Sequence, residues 1–163
     1  MPFKAASAIA GTAPPRARAG FSMLELVIAL AMAAVLSAYA VPAYMSYAAR
    51  GHRIDAVIAL HRAAQHIAEH PSVAGRTPAL PPGLGRAPEQ GRTVYRLEML
   101  SAGEGSGGYE LHATPVDGGP MHGDACGTFV LDGLGARSNH RGAVLDGAAI
   151  DACWAGRAAS SAV

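Results

Sequence analysis

Glu25 has the most unusual chemical setting in the sequence. It is the only acid in an apolar stretch that begins at Phe21, and the next 24 residues, from Leu26 to Ala49, carry no charge. A carboxylate at the centre of a bilayer costs about 2.5–3.5 kcal/mol, and less near the interface, so it tends to be kept where it has a partner. One available partner is the N-terminus of its own helix, which stabilises a nearby carboxylate by about 0.3–1 kcal/mol.

The histidines could bind a metal ion. His66 and His70 are four residues apart, which would place both on one face of a helix, and His61 lies about one turn earlier. Neither cysteines nor clustered carboxylates complete a set of four ligands near them. We therefore predict no metal site and no cofactor.

The usual catalytic patterns are also missing from the sequence. There is no G-x-S-x-G motif, and Gly133-x-Gly135 is not followed by a helix pattern as a phosphate-binding loop would be. Ser138, His140 and Asp146 are ordinary loop residues with no spacing that identifies a nucleophile and its base. We predict that the protein is not an enzyme.

Composition and charge exclude further classes. Of 163 residues, 50% are hydrophobic and 15% charged, with a formal net charge of +1, which fits one domain and not a disordered chain. The segment from Glu110 to the C-terminus contains three arginines and six acidic residues. No basic stripe is therefore expected there, and nucleic acid is not predicted as a partner. A local patch formed by Arg86, Arg92 and Arg96 remains open.

The element that positions Glu25 is a membrane-spanning helix. The 24 uncharged residues would form a helix about 36 Å long, enough to cross a hydrocarbon core of about 30 Å. An ordinary secretory signal has a shorter apolar core, although Ala38-Tyr39-Ala40 could pass as a cleavage site. An uncleaved single-pass anchor is the second interpretation, with its basic leader in the cytoplasm. Neither explains an acid at the start of the apolar run.

The order of residues around Glu25 resembles that of a type IV prepilin. A basic leader, residues 1–20, ends in Gly20, and the apolar helix that follows contains Pro42. The junction carries the motif Gly20-Phe21-Ser22-Met23-Leu24-Glu25. The resemblance implies that a prepilin peptidase cuts between Gly20 and Phe21 and that Phe21 is then N-methylated.

The same resemblance gives roles to Glu25 and Pro42. In an assembled filament, Glu25 would pair with the methylated amine of Phe21 on a neighbouring subunit. Pro42 matches the proline midway along the family's helix, where it would let the helix bend or extend; from the residues alone, only a kink is expected. Residues 21–49 would then form the transmembrane and filament-core helix, and residues 50–70 its amphipathic continuation.

The remaining chain predicts an α+β fold, in which a small antiparallel sheet packs on the long helix. The apolar side of the amphipathic segment is read as Ile54, Val57, Ile58, His61, Ala64 and Ala68, and the helix is expected to run from 21 to 70. Residues 71–92 are rich in proline and glycine and are predicted as a loop. The alternation of apolar and polar residues indicates strands at 93–100, 109–114 and 128–131. A further short strand pairing is expected after the turn at Asp132-Gly133. The sheet region spans 93–163.

Cys126 and Cys153 are the only cysteines. In an oxidising compartment beyond the membrane, a disulfide between them is expected; two unpaired buried thiols are the alternative. The strand that begins Cys126-Gly127-Thr128 and the closing Cys153-Trp154 are similar to the C-terminal disulfide loop of PilE-like minor pilins.

Together these features identify the chain as a member of the type IV pilin family, with an expected role as a minor pilin. The resemblance implies a filament subunit for adhesion, twitching motility or DNA uptake. By the same resemblance, the subunit would lie in the bacterial inner membrane with a periplasmic domain before assembly, and in the extracellular pilus afterwards. The implied partners are other pilin subunits, the prepilin peptidase, the inner-membrane assembly platform and membrane lipid. Two alternatives stay open: a type II secretion pseudopilin, and an uncleaved membrane-anchored binding domain.

Overall fold

The computed structural model describes residues 20–70 and 80–159. The chain divides into two compact units, residues 1–40 and 41–163. The predicted leader, residues 1–20, lies outside the described residues except for Gly20, and so do residues 71–79 of the predicted loop.

The N-terminal helix α1 spans Met23–Glu69, close to its predicted extent. At its start, the Ser22 hydroxyl accepts a hydrogen bond from the Leu24 N–H at 3.3 Å, which satisfies one of the free donors of the first turn. At its end, Pro71 disfavours a helical conformation at the residue before it. α1 continues through Pro42. By length and composition, it contains a segment apolar enough to cross a membrane.

The second unit contains a six-stranded antiparallel sheet in which each strand pairs with the next one in the sequence. The predicted α+β fold, with its long helix and antiparallel sheet, is confirmed, and the further pairing after Asp132-Gly133 is present. The strands are β1 (Arg86–Ala87), β2 (Tyr95–Ser101), β3 (Tyr109–Pro115), β4 (Thr128–Asp132), β5 (Arg137–Arg141) and β6 (Ala143–Val144).

The edge strand β1 lies inside the segment predicted as a loop. The loop prediction is wrong at this point, because Arg86 and Ala87 pair with Arg96 and Tyr95 of β2. A strand of two residues is too short to produce an alternation of polar and apolar residues, so the sequence pattern could not indicate it.

The core lies between α1 and one face of the sheet. The buried helix residues are Arg53, Ala56, Leu60, Ala63 and Ile67. The predicted helix face was wrong by about one residue: Ile58 is 51% exposed, and His61 and Ala68 are exposed too. Successive residues of a helix are about 100° apart around its axis. An error of one residue therefore moves the predicted buried stripe to an adjacent face of the helix. Two of the buried positions are alanines and one is an arginine, and such residues contribute little to an apolar pattern.

A second helix, α2 (Gly147–Trp154), follows the sheet and was not predicted. It begins with a capping interaction, in which the Asp146 carboxylate accepts a hydrogen bond from the Ala149 N–H at 2.8 Å. α2 brings Cys153 and Trp154 into the core. It is eight residues long, and helices this short carry a weak periodic signal.

Candidate functional site

The start of α1 presents the residues predicted to act in processing and assembly. Phe21 is 76% exposed, and Gly20 and Glu25 are exposed as well. Phe21 and Glu25 line one shallow, largely apolar depression together with Leu24 and Ile28. Glu25 lies in the first turn of α1, where the helix N-terminus can stabilise its charge. Among residues 20–70 and 80–159, its carboxylate has no hydrogen bond or ion pair.

A buried ion pair joins α1 to the segment before Cys126. Arg53 donates through Nε to Asp124 Oδ1 at 3.1 Å and through Nη2 to Asp124 Oδ2, and both side chains are more than nine-tenths buried. Arg53 Nη1 also donates to the carbonyl of Gly156 at 3.1 Å. Asp124 Oδ1 accepts from the Cys126 N–H at 3.0 Å. Arg53 is not among the residues predicted for the apolar side of the helix, so this contact was not predicted.

Cys126 and Cys153 form a disulfide with Cα atoms 5.7 Å apart. Beside it, the buried Asn139 donates through Nδ2 to the Cys126 carbonyl at 2.9 Å and accepts from the indole Nε1 of Trp154 at 2.9 Å. The side-chain amide is therefore satisfied on both its oxygen and its nitrogen. These contacts attach β5, the cysteine loop and α2 to one another and give this end of the domain a defined conformation.

The outer face of the sheet, which points away from α1, carries two of the three arginines of the predicted local patch, Arg86 and Arg96, whereas Arg92 lies in the connection between β1 and β2. Directly opposed residues on neighbouring strands point to the same face, and the register gives one row that crosses five strands. In this row the cross-strand pairs include Arg86 with Arg96 and Thr128 with His140, and the Thr128 hydroxyl lies 3.4 Å from that of Thr114. We call it the cationic row; it consists of Arg86, Arg96, Thr114, Thr128 and His140.

The acids on the strands of the outer face lie in other rows; Asp117, which follows β3, is a further exposed carboxylate beside Arg96 and Thr114. Glu98 opposes His112 in the next row, and Glu110 opposes Asp132 one row further. The outer face is therefore positive towards the end where β2 begins and negative towards the β2–β3 turn. This polarity depends on strand pairing, which is why counting charges along the sequence did not reveal it.

The histidine pair and the loop residues considered for chemistry do not form a site. The rings of His66 and His70 stack with centroids 4.3 Å apart, and His70 Nδ1 faces the His66 carbonyl at 3.0 Å. No group of three or more His, Cys, Asp or Glu side chains suited to a metal ion occurs among the described residues. Asp146 caps α2, and Ser138 lies on the outer face of β5 beside Val130.

Three groups around the sheet have shifted pKa values. The hydrogen bond from Arg62 lowers the pKa of Glu89 and raises that of Arg62; the pair is exposed, with its atoms 2.6 Å apart. In the core, burial and the charge of Asp124 raise the pKa of Tyr95. The Tyr95 hydroxyl is buried and has no hydrogen-bond partner among the described residues.

Two family models match the chain. The model of the type IV minor pilin ComP, DNA uptake sequence receptor, matches residues 42–130, which is more than half of the chain. The prokaryotic N-terminal methylation motif matches residues 15–41. The chain belongs to the ComP family of type IV minor pilins. No solved structure matches it.

This minor pilin therefore combines a methylation motif, an apolar N-terminal helix, an antiparallel sheet and a disulfide. The prediction that the chain is a type IV minor pilin is confirmed, and the family is one of structural pilus subunits. The apolar start of α1 and the methylation motif are those of a membrane-anchored pilin that associates with other pilus components.

Proposed function

We propose that this minor pilin is a DNA receptor of a type IV pilus and that it binds double-stranded DNA through the cationic row. The family match carries the proposal, because the matched model is described as a DNA uptake sequence receptor and covers the chain up to Val130 in β4. The acidic balance after Glu110 did not predict nucleic acid as a partner, whereas the arginine patch that the sequence left open contributes Arg86 and Arg96 to the row.

The charge distribution of the outer face supports this assignment. Arg86 and Arg96 are exposed neighbours on β1 and β2, and Arg96 makes no ion pair or side-chain hydrogen bond with the residues described. Neighbouring strands lie about 4.8 Å apart, so a row across five strands extends about 19 Å. Arginine, threonine and histidine side chains all contact phosphate oxygens. The row can therefore follow a stretch of phosphate backbone.

The acids on the same face would orient the bound duplex. Glu110 and Asp132 lie at the opposite end of the outer face, where they repel phosphate groups. A duplex that follows the cationic row keeps its backbone away from them. The modest net charge of the protein is thus compatible with DNA binding, because local arrangement and not total charge determines where phosphates approach.

We propose that processing and assembly follow the pilin pathway. Prepilin peptidase cuts between Gly20 and Phe21, and Phe21 is N-methylated. Before assembly the subunit lies in the bacterial inner membrane, surrounded by lipid, with its C-terminal domain in the periplasm; the assembly platform then adds it to an extracellular filament. In the filament, Glu25 pairs with the amine of Phe21 from a neighbouring pilin, and Pro42 lets α1 bend. The exposure of Phe21 and Glu25 on one surface supports this pairing.

A binding experiment with the mature full chain in detergent tests the DNA proposal. A fluorescently labelled duplex of mixed sequence is titrated with the wild type, with the Arg86→Ala/Arg96→Ala variant and with Arg50→Ala. Arg50 is an exposed arginine of α1 whose side chain lies beside Gly156, and it does not belong to the cationic row. We expect the double variant to bind several-fold more weakly and Arg50→Ala to match the wild type. A wild type that binds no duplex would contradict the proposal.

A further inference from the structure

A polar groove lies at the positive end of the outer face. Its floor consists of Arg96, Glu98 and Thr114 on β2 and β3, and its wall of the segment Pro115–Asp117 that leaves the sheet. The groove encloses about 320 Å³. Two residues of the cationic row, Arg96 and Thr114, line the groove, together with the carboxylates of Glu98 and Asp117, which do not belong to that row.

The charged groups of the groove do not pair with each other. Arg96 and Glu98 are both exposed and make no ion pair or side-chain hydrogen bond within residues 20–70 and 80–159. Two positions apart on a strand, their Cα atoms are about 6.8 Å from each other, on the same face. Asp117 is exposed, and its Oδ1 lies 3.7 Å from His122 Nδ1. Both Arg96 and Glu98 are therefore available to a ligand.

A carboxylate at this position is unfavourable for binding phosphate alone. Beside Arg96, Glu98 would repel the same backbone that the arginine attracts, so a surface that bound only phosphates would gain nothing from it. An ionised carboxylate can only accept hydrogen bonds. On duplex DNA, hydrogen-bond donors occur only on the base edges, as the amino groups of cytosine and adenine in the major groove and of guanine in the minor groove.

We propose that Glu98 reads a cytosine in the major groove by accepting a hydrogen bond from its N4 amino group. This inference depends on the proposed function, and it divides the groove into two roles. Arg96 holds the phosphate backbone, and Glu98 tests the base beside it. Adenine fits less well, because its N7 acceptor lies next to its amino group and repels a carboxylate, whereas the cytosine edge presents only the donor.

The exposed Thr114 and Asp117 complete the site. Thr114 lies directly opposite Arg96, and its hydroxyl can donate to a phosphate or a base. Asp117 carries a second carboxylate on the wall of the groove, so a thymine or guanine edge, which offers acceptors in the major groove, meets repulsion from two sides. The groove thereby discriminates against the wrong base as well as for the right one.

Selection from a random duplex library tests the assignment. The mature full chain in detergent is used as wild type, Glu98→Ala and Glu104→Ala. Glu104 lies in the short helix of the β2–β3 turn, so its substitution removes the same charge at the other end of the sheet. We expect the wild type and Glu104→Ala to select the same sequence, and Glu98→Ala to lose the preference at a cytosine position.

Affinities for single duplexes then give the size of the effect. Replacing that cytosine is expected to weaken binding of the wild type about tenfold and that of Glu98→Ala less than about twofold. The inference is overturned if Glu98→Ala selects the wild-type sequence, if the lost preference falls on another base, or if the wild type binds duplexes without selecting any sequence. A wild type that binds no duplex contradicts the proposed function itself.

Discussion

The guanidinium of Arg53 and the carboxylate of Asp124 form a bidentate, buried ion pair between α1 and the segment that precedes Cys126. Further hydrogen bonds to the Gly156 carbonyl and from the Cys126 N–H satisfy the remaining atoms of the pair. A buried pair of this kind contributes less to net stability than its Coulomb attraction suggests, because both charges lose their hydration. Its main consequence is geometric: it fixes where the cysteine loop meets the helix.

Loss of either partner leaves the other charge buried and unpaired. We expect Arg53→Met or Asp124→Asn to lower the free energy of unfolding by about 3–5 kcal/mol. The single tryptophan, Trp154, is almost fully buried, so its fluorescence in a denaturant titration reports the transition. Arg62→Met, which breaks the exposed pair with Glu89, should leave the midpoint nearly unchanged. Equal midpoints for Arg53→Met and the wild type would contradict this role of the ion pair.

The buried hydroxyl of Tyr95 predicts a stability that falls in alkali. Its pKa is raised in the folded protein, whereas an unfolded tyrosine loses its proton near pH 10. Above that pH the unfolded state binds fewer protons than the native state, so unfolding becomes more favourable. We expect the free energy of unfolding to fall between pH 9 and 11, and to fall less in Tyr95→Phe. The same decline in both proteins would show that Tyr95 is not its source.

At neutral pH, Tyr95→Phe also removes a hydroxyl that has no partner among the described residues. A buried polar group without a hydrogen bond is unfavourable, so this variant should be as stable as the wild type or more so. The alkaline comparison therefore starts from a well-folded protein.

The proposed pairing of Glu25 with a neighbouring Phe21 predicts a defect in assembly but not in membrane insertion. Glu25→Ala should remain in the membrane fraction, because removing a charge makes an apolar segment easier to insert. Its amount in sheared filaments should fall. Glu25→Gln, which keeps the size of the side chain and removes the charge, should show the same defect. Normal incorporation of both variants would exclude the ion pair.

The processing proposal predicts the mass of the mature chain. Mass spectrometry of protein extracted from membranes should show a chain that begins at N-methylated Phe21. A chain that still carries residues 1–20 would contradict cleavage at Gly20. This measurement is independent of filament assembly.

The sequence predicted those features that depend on long, regular patterns. The apolar run after Glu25 gave the helix, and the alternation in 93–100 and 109–114 gave the central strands. It could not give α2, the two-residue β1 or the buried stripe of α1. A sequence pattern predicts an arginine such as Arg53 to be exposed. Arg53 is buried in the core because it pairs with Asp124, which is 71 positions away in the sequence.

The cationic row was predicted only in part. Arg86 and Arg96 belong to the local patch that the sequence left open, but Thr114, Thr128 and His140 join them in one row only through strand register. Acids outnumber arginines along the chain after Glu110, whereas the fold places the acids Glu110 and Asp132 at the other end of the same face. A count along the chain cannot detect such a separation.

The salt dependence of DNA binding tests the central claim most directly. Each phosphate contact contributes about 0.9 to the slope of the logarithm of affinity against the logarithm of salt concentration. We predict that Arg96→Ala lowers this slope by about 0.9 relative to the wild type, while Arg50→Ala, at an exposed position of α1, leaves it unchanged. Identical slopes for all three proteins would contradict the claim that the outer face of the sheet binds the DNA backbone.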